Sequence, residues 1–363
     1  MIKQYEPWIG EEERQAVHKY MATRPWLTEF KKTQELEEAV AAYVGAKHCV
    51  FMPSATLALY AMLKVAGIGR GDTVVVPAFT MVATANAVAM TGANVQFVDV
   101  CENTLCLDID ALPGSAYAIA KAVLFVSLNG RVADLANLAY CCKRDGASLL
   151  EDAAQSLGSR WHGRHLGTFG EMGVLSFSCQ KIVTTGQGGC VLTDNDKLAH
   201  KLRRFKDFGR PRGGSDEYES YGINLKFTDL QAVVGLEQMK KLPWRVERKK
   251  AMFALYRERL EDIGDLYMPP TNLTDVTPWF VDVFTDQRDE LAAYLLERGV
   301  ETRKVYPALH TTPAWKSHNH SDCPVAERIA RRGLWLPSSV QLTDDQVHEV
   351  CDKIVRFYAE VAN

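Results

Sequence analysis

The sequence lacks long apolar runs, paired cysteine motifs and an excess of either charge. No stretch approaches the roughly 20 apolar residues that a membrane-spanning helix needs, so we expect no membrane insertion. Lysine and arginine number 42 and aspartate and glutamate 45, and this net charge of −3 gives no basic field that favours nucleic acid. The nine cysteines are scattered without a C-x-x-C pair, which favours reduced, core-filling thiols over a disulfide framework or a zinc site.

The beginning of the chain also lacks the basic segment and apolar segment of an export signal. Together these absences favour a cytoplasmic protein whose partner is a small molecule, with no metal, nucleic acid or membrane involved.

The residues that are present predict an α/β fold. The 363 residues are 47% hydrophobic and 24% charged, which is enough for a large core and for two domains. Helix-period segments alternate with short β-branched runs, which is typical of a mainly parallel sheet covered by helices on both faces. Strands are predicted at residues 73–77, 95–98, 123–127, 148–151 and 173–178, and helices at residues 56–65, 82–90 and 135–145.

The alternation of helix-period segments with short β-branched runs ends near residues 241–248, which predicts a domain boundary there. A charged helix that begins near Trp244 would lead out of a large first domain, residues 1–245, which includes an N-terminal arm. Residues 246–363 would form a smaller α+β domain. This second domain would contain a strand at 279–284, a helix at 288–297 and a terminal helix after residue 345.

Lys181 lies between an apolar strand and a glycine-rich turn that contains Gly186, Gly188 and Gly189. Solvated lysines are common beside turns, and glycines there mostly serve backbone geometry. A lysine amine in such a place can also bind a cofactor. Lys181 alone favours the first interpretation, and residues elsewhere in the chain shift the balance to the second.

Asp152 closes another apolar strand, in the segment 151–155. Ligands of open α/β sheets bind outside the carboxyl ends of strands, although an acid there could equally cap a helix. A lysine that binds pyridoxal phosphate as a Schiff base needs a carboxylate at the pyridine nitrogen, so that the ring can absorb carbanion electrons. Asp152 and Lys181 occur at strand ends in the order that this chemistry uses.

A third segment consists of Ser54, Ala55 and Thr56, directly before a predicted helix. Its hydroxyls and free backbone N–H groups would lie at a positive helix end, which favours phosphate. The same residues serve equally well as simple N-caps. Only in combination with the acid and the lysine do they indicate a phosphate site.

Motifs along essentially the whole chain resemble the DegT/DnrJ/EryC1/StrS family of sugar-nucleotide aminotransferases, which are pyridoxal-phosphate enzymes. The matching segments are Trp26-Leu27-Thr28, Val44-Gly45-Ala46-Lys47 and residues 36–38, 71–80, 83–87, 97–99, 151–155, 168–170, 176–189, 222–224, 229–232 and 323–328. The resemblance implies the aspartate-aminotransferase fold, known as fold type I. Its large domain has a mainly parallel mixed sheet between helices, and a smaller C-terminal α+β domain follows.

The resemblance implies a role for each matching residue around the cofactor ring. Lys181 matches the lysine that carries pyridoxal 5'-phosphate, and Asp152 matches the acid at the pyridine nitrogen. Gln155 matches an amide near the phenolic oxygen of the ring. Met81 stands where the family commonly places an aromatic ring over the cofactor, and a polarizable thioether can pack there too.

The resemblance also implies how the cofactor phosphate is bound. Ser54, Ala55 and Thr56 match the phosphate-binding turn, although the family usually has glycine at the position of Ala55. Ser176 matches a further hydroxyl that reaches the phosphate. Asn224 matches a residue that is donated across a dimer interface to the neighbour's phosphate, which implies a homodimer with shared active sites.

The implied reaction is a ping-pong transfer of an amino group from an amino acid, in this family L-glutamate, to a nucleotide-linked keto-deoxysugar. The motifs most resemble those of enzymes that aminate C4 of a 4-keto-6-deoxyhexose, as in perosamine synthesis, but C3 and cyclitol aminotransferases share them. Dehydratase relatives have histidine in place of the lysine, so Lys181 favours amination. A non-catalytic regulatory protein that binds the cofactor is a further alternative.

Five residues are expected to border the sugar nucleotide in this family: Trp26, Thr28, Arg303, Tyr306 and His310. An arginine and an aromatic ring suit a diphosphate and a base, so Arg303 and Tyr306 are the stronger candidates. His310 could equally be a core or surface histidine.

Overall fold

The structure is a computed structural model that describes residues 1–110, 120–318 and 320–361. In the first part of the chain its helices and strands are α1 (Glu11–Ala22), α2 (Lys31–Val44), β1 (His48–Met52), α3 (Ala55–Val65), β2 (Thr73–Pro77), α4 (Ala83–Thr91), β3 (Asn94–Val98), β4 (Ala122–Val126), α5 (Leu135–Asp145), β5 (Ser148–Asp152), β6 (Arg160–Trp161), β7 (Arg164–His165), β8 (Met172–Ser176), β9 (Gly189–Thr193) and α6 (Asp196–Lys206). They are followed by α7 (Asp229–Leu260), β10 (Val281–Phe284), α8 (Arg288–Glu297), β11 (Arg303–Lys304), α9 (Pro324–Arg332), β12 (Gly333–Leu336) and α10 (Asp344–Val361).

Seven strands form the main sheet, in the order β1-β9-β8-β5-β4-β2-β3. The neighbours from β8 to β3 are parallel, whereas β9 is antiparallel to both β8 and β1. The predicted α/β fold with a mainly parallel mixed sheet is therefore confirmed. The parallel strands end at one edge of the sheet, where open α/β proteins bind ligands.

The strands of this sheet are buried on both faces. In β8 and β9, Val174 and Val191 belong to one apolar core, whereas Leu175 and Cys190 belong to the core on the opposite face. Side chains of a strand alternate between faces, so a strand that is apolar throughout requires a helical layer on each side. All nine cysteines are free and six of them are buried, as the sequence predicted.

A second sheet is antiparallel, with the order β10-β12-β11. It shares an apolar core with α8, α10 and the C-terminal half of α7, and the core includes Val283, Leu334 and Val350. The beginning of the chain joins this unit, since Ile2 forms a parallel bridge with Val300. None of the helices in the described ranges has both the length and the apolarity that crossing a bilayer requires.

Helix α7 corrects one detail of the sequence analysis. The helix begins at Asp229 rather than near Trp244, where Thr228 accepts a hydrogen bond from the Gln231 backbone N–H at 3.3 Å as an N-cap. Pro243 lies inside the helix without ending it. The predicted boundary at residues 241–248 therefore falls within a continuous helix, and the division into residues 1–245 and 246–363 stays a prediction.

A buried ion pair connects the two sheets beside the carboxyl end of β4. The Arg131 guanidinium donates to both carboxylate oxygens of Asp282, at 2.7 and 2.8 Å, and its Nε donates to Thr271 at 3.0 Å. Both partners of the pair are almost fully buried. Removing one partner of such a pair typically costs about 3–5 kcal/mol, so it fixes β10 against the main sheet.

Candidate active site

The candidate residues gather at the carboxyl ends of β5 and β8. Asp152 is the last residue of β5 and pairs in register with Val174 of β8. Strand β8 ends at Ser176, and the chain reaches Lys181 five residues later. The parallel strands β5 and β8 therefore place Asp152 and the segment that leads to Lys181 at the same edge of the sheet, as expected.

The Asp152 carboxylate is buried and held in one orientation. Its exposed fraction is 5%, and it accepts hydrogen bonds from the Thr84 hydroxyl at 2.7 Å and the Ala154 backbone N–H at 3.2 Å. Burial raises the pKa of Asp152, and the hydrogen bond from Thr84 opposes that rise. Thr84 lies in the first turn of α4, and no motif in the sequence had indicated its contact with Asp152.

The Lys181 amine lies on the ring of Trp279, with 3.7 Å between Nζ and the ring centroid. Burial lowers the pKa of Lys181 to about 7, while the charge of Asp152 opposes and that of Arg303 adds to this effect. Near neutral pH a substantial share of these amines is therefore neutral. A neutral amine can attack an aldehyde or accept a proton.

The backbone around Lys181 is held from three directions. The Tyr5 hydroxyl donates to the Lys181 carbonyl at 3.0 Å, and the Arg245 guanidinium donates to the Ile182 carbonyl at 2.6 Å. The Trp279 indole N–H donates to the carbonyl of Gln180 at 2.7 Å. These partners come from the N-terminal arm, from α7 and from the segment before β10, and sequence reasoning missed all three.

Gln155, Ser176, Lys181 and Trp279 line one small cavity. The Gln155 side-chain oxygen accepts a hydrogen bond from the Asn129 backbone N–H at 2.7 Å. The Asn129 side chain in turn bonds the backbone N–H and carbonyl of Phe280, at 2.6 and 2.7 Å. Asn129 therefore couples the end of β4 to the segment that carries Trp279.

The predicted phosphate turn lies directly against the start of β9. Ser54 caps α3, because its hydroxyl accepts a hydrogen bond from the Leu57 backbone N–H at 3.2 Å. A Cβ atom on Gly189 would lie 2.4 Å from both the Cα and the backbone nitrogen of Ala55, so only glycine fits there. Gly189 also pairs with Ser176. This arrangement brings Ser176 close to the helix start formed by Ser54, Ala55 and Thr56.

Met81 and Asn224 lie on accessible parts of the molecule. Met81 is 43% exposed just before α4, and its sulfur accepts a hydrogen bond from the Ala83 backbone N–H at 3.0 Å. Asn224 is exposed, and its side-chain oxygen accepts from the Lys226 backbone N–H at 3.2 Å. An exposed Asn224 is available to a neighbouring molecule.

Two of the five predicted sugar residues lie beside the cluster. Arg303 donates to the side-chain oxygen of Gln180 at 3.3 Å, next to Lys181. The Tyr306 ring packs edge-on against Trp335 with centroids 4.8 Å apart. Burial raises the pKa of Tyr306, and the negative charge of Asp152 adds to the rise, so the phenol lies in the field of that carboxylate.

Trp26, Thr28 and His310 lie away from this cluster or contact other parts of the molecule. The Trp26 side chain is 67% exposed, and Thr28 forms a backbone bridge with Thr228 before α7. His310 is only 5% exposed, and its Nε2 lies 3.3 Å from a carboxylate oxygen of Glu327. The core interpretation of His310 matches its surroundings, and a substrate contact for these three residues stays a prediction.

Two further acids in the matched motifs, Glu151 and Asp229, bind backbone N–H groups and so stabilise the fold. Glu151 is fully buried and accepts hydrogen bonds from the backbone N–H groups of Gly167, Phe169 and Gly170 at 2.5 to 2.7 Å. Asp229 accepts from the backbone N–H groups at the start of α2. Of the adjacent acids Glu151 and Asp152, Asp152 is the one whose charge acts on the Lys181 amine.

Comparison with known proteins agrees with this fold. The DegT/DnrJ/EryC1/StrS aminotransferase family matches residues 7–355. The dTDP-4-dehydro-2,3,6-trideoxy-D-glucose 4-aminotransferase of Saccharopolyspora spinosa is 32% identical, over 97% of this chain and 96% of that protein. The GDP-perosamine synthase of Vibrio cholerae is 28% identical, over 99% of each chain. The crystal structure of the aminotransferase TlmJ from Streptoalloteichus hindustanus superposes with a TM-score of 0.94 and 31% identity over the whole of both chains.

The chain therefore belongs to the DegT/DnrJ/EryC1/StrS aminotransferase family. The resemblance that the motifs indicated is confirmed, as are the fold class and the assignment of the protein as an aminotransferase.

Proposed function

We propose that this aminotransferase uses pyridoxal 5'-phosphate to move an amino group from L-glutamate to C4 of a nucleotide-linked 4-keto-6-deoxyhexose. The observation that carries the proposal is the Lys181 amine, with its lowered pKa, in the field of the buried Asp152 carboxylate. The names of the relatives from S. spinosa and V. cholerae support a nucleotide sugar, and the first supports C4. Location in the cytoplasm stays a prediction.

The residues of the cavity fit the ring of the cofactor. Pyridoxal phosphate, when bound, supplies an aldehyde that exchanges amino groups and a ring that accepts electrons. Lys181 would carry the aldehyde, Asp152 would hold the proton of the pyridine nitrogen, and Gln155 would approach the phenolic oxygen. Met81 would cover the ring.

The start of α3 fits the phosphate. Free N–H groups at a helix N-terminus attract anions, and Gly189, which has no Cβ, lets β9 pack directly against the backbone of Ala55 there. Ser54, Ala55 and Thr56 would bind the phosphate there, together with the hydroxyl of Ser176. Asn224 would reach the phosphate in the neighbouring subunit of a homodimer.

The chain's own groups then supply the proton transfers. The neutral Lys181 amine can take the proton from Cα of the amino-acid donor and could deliver it to the aldehyde carbon that pyridoxal phosphate would supply, across the amino nitrogen. The hydrogen bonds from Thr84 and the Ala154 N–H keep the Asp152 carboxylate in one orientation throughout. Arg303 and Tyr306, beside the cavity, would contact the diphosphate and the base of the sugar nucleotide.

Lysine at position 181 favours amination over the dehydration that histidine-containing relatives carry out. The complete set of Lys181, Asp152, Gln155 and Asn224 favours an active enzyme over a regulatory protein. Amination at C3, or of a cyclitol, uses the same residues and remains the alternative outcome of the test below.

The test combines a spectrum with a substrate panel. Adding L-glutamate to the purified holoenzyme is expected to shift its visible absorption band. GDP-, dTDP- and UDP-linked 4-keto and 3-keto sugars are then supplied in turn, and NMR locates the new amine, which we expect at C4. An amine at C3 would refute the proposed position, and a band that no amine donor shifts would refute the proposed reaction.

The shared active site predicts rescue in mixed dimers. Lys181→Ala and Asn224→Ala subunits are each expected to be inactive alone. A mixed dimer would contain one intact site, in which Lys181 of one subunit is completed by Asn224 of the other, so activity should return on mixing. The matched control mixes Lys181→Ala with Asp152→Asn subunits, which cannot complete each other. No rescue in verified mixed dimers would contradict a shared site.

A further inference from the structure

The Lys181 amine and the Trp279 indole form a cation–π contact. Nζ lies 3.7 Å from the ring centroid, well inside the roughly 6 Å over which such contacts act. We propose that Trp279 is a positioning residue whose ring face stabilises the ammonium form of Lys181, so that it increases the protonated share of the amine when no cofactor is bound. The inference rests on the proposed role of Lys181, and it adds a group that sets the protonation of that amine.

The Trp279 ring is fixed in place on every side. Its side chain is 6% exposed, and its N–H donates to the Gln180 carbonyl. The ring stacks on Phe280 with centroids 3.8 Å apart, and Trp335 packs edge-on at 5.9 Å. The buried Lys249 amine donates to the Trp279 carbonyl. Since the N–H is already used, the ring presents its electron-rich face to the amine.

The charges around the amine oppose one another. Burial is the largest influence on Lys181 and favours the neutral amine, and the positive charge of Arg303 acts in the same direction. The carboxylate of Asp152 favours the ammonium. An indole face also favours the ammonium, because its quadrupole attracts a cation most strongly where water is excluded. Trp279 and Asp152 therefore both favour protonation of Lys181, whereas burial opposes it.

Other titratable groups face the backbone rather than the amine. The Tyr5 hydroxyl donates to the Lys181 carbonyl, and Arg245 donates to the Ile182 carbonyl. Lys249 donates to the carbonyls of Trp279 and Ser338. These groups hold the amine and the ring at a fixed separation, so the ring's effect on the amine is built into the fold.

The direction in which the Lys181 pKa changes when the Trp279 ring is removed separates this role from a merely structural one. Removing the ring face would withdraw support from the ammonium, so the pKa of Lys181 would fall. Loosening the cavity and admitting water would remove the effect of burial, so the pKa would rise towards its ordinary value. The two roles of Trp279 therefore predict changes in opposite directions.

The experiment is competitive acetylation of the full-length protein after removal of the cofactor, with the Lys181 peptide followed by mass spectrometry across pH. Trp279→Leu is expected to lower the Lys181 pKa by about one, and Trp279→Phe, which keeps a weaker ring, by less. An unchanged or raised pKa in Trp279→Leu would overturn the proposal. Labelling requires no turnover, so this outcome would leave the proposed reaction intact.

A second measurement does not depend on how well these variants fold. Fluorinated tryptophan at position 279 keeps the shape and the N–H group but weakens the negative face of the ring. The Lys181 pKa is expected to fall with it, and an unchanged pKa would contradict the proposal. Trp315 is a matched control, since it is also buried but packs against Phe97. Trp315→Leu must leave the Lys181 pKa unchanged.

Discussion

The Lys181→Ala variant is expected to lose multiple-turnover activity. The change removes the amine that would carry the cofactor and move the proton, and proton transfer by a positioned group alone typically contributes about 10²–10⁴-fold to a rate. The measurement is glutamate-dependent amination of the nucleotide keto sugar under repeated turnover. Lys197→Ala, which changes an exposed lysine in α6, is the matched control and should keep full activity.

The same variant is expected to fold and to be at least as stable as the parent when no cofactor is present. Burial lowers the pKa of Lys181 from its ordinary value to about 7, so the folded state binds that proton less tightly than the unfolded state. The buried lysine therefore lowers the free energy of unfolding of the parent protein. This loss has its full size below about pH 7 and shrinks to zero as the pH rises towards the ordinary pKa of lysine. Thermal unfolding at neutral pH checks this expectation. Repeated turnover by a folded Lys181→Ala protein would refute the assigned role.

The Asp152→Asn variant is expected to lose about 100-fold or more of the activity while it still binds the cofactor. The side-chain oxygen of asparagine can accept from the Ala154 backbone N–H while its NH2 group donates to the Thr84 hydroxyl, so both contacts can be kept. A neutral amide cannot hold the proton of the pyridine nitrogen, and the ring then accepts electrons poorly. The rate and the pH dependence of the bound cofactor's absorption should both change.

A matched comparison is available at the next position. Glu151→Gln also replaces a buried acid by its amide, but Glu151 bonds backbone N–H groups away from the cavity. We expect this variant to lose thermal stability and to keep the cofactor's absorption and its pH dependence. A near-normal rate in Asp152→Asn would exclude the assigned role, as would equal spectral changes in the two variants.

The sequence predicted those features that depend on local pattern or on cofactor chemistry. The strands β2 to β5 and β8 were predicted because a run of apolar, β-branched residues indicates a strand buried on both faces. Asp152 and Lys181 were predicted because both follow such strands, whose carboxyl ends meet at one edge of a sheet. The start of α7 was predicted near Trp244, where the charged segment begins, whereas the helix begins at Asp229 and continues through Pro243.

The supporting contacts could not be predicted because they join distant parts of the chain. Tyr5 bonds the Lys181 carbonyl across 176 residues, and Trp279 bonds the Gln180 carbonyl across 99. Neither residue belongs to a motif, and only the packed fold brings them together. The contact between the buried His310 and Glu327 is a further example that no motif indicated.

Helix α7 has a mechanical consequence for substrate entry. At 32 residues it is about 48 Å long, and it bonds the backbone beside Lys181 through Arg245 and the backbone of Trp279 through Lys249. Its C-terminal half lies in the core of the second sheet. A hinge between the two predicted domains would have to bend α7 at the point where it bonds both of these backbone segments beside the cavity. Such a bend would break the contacts of Arg245 and Lys249, so we expect the nucleotide sugar to enter without bending α7.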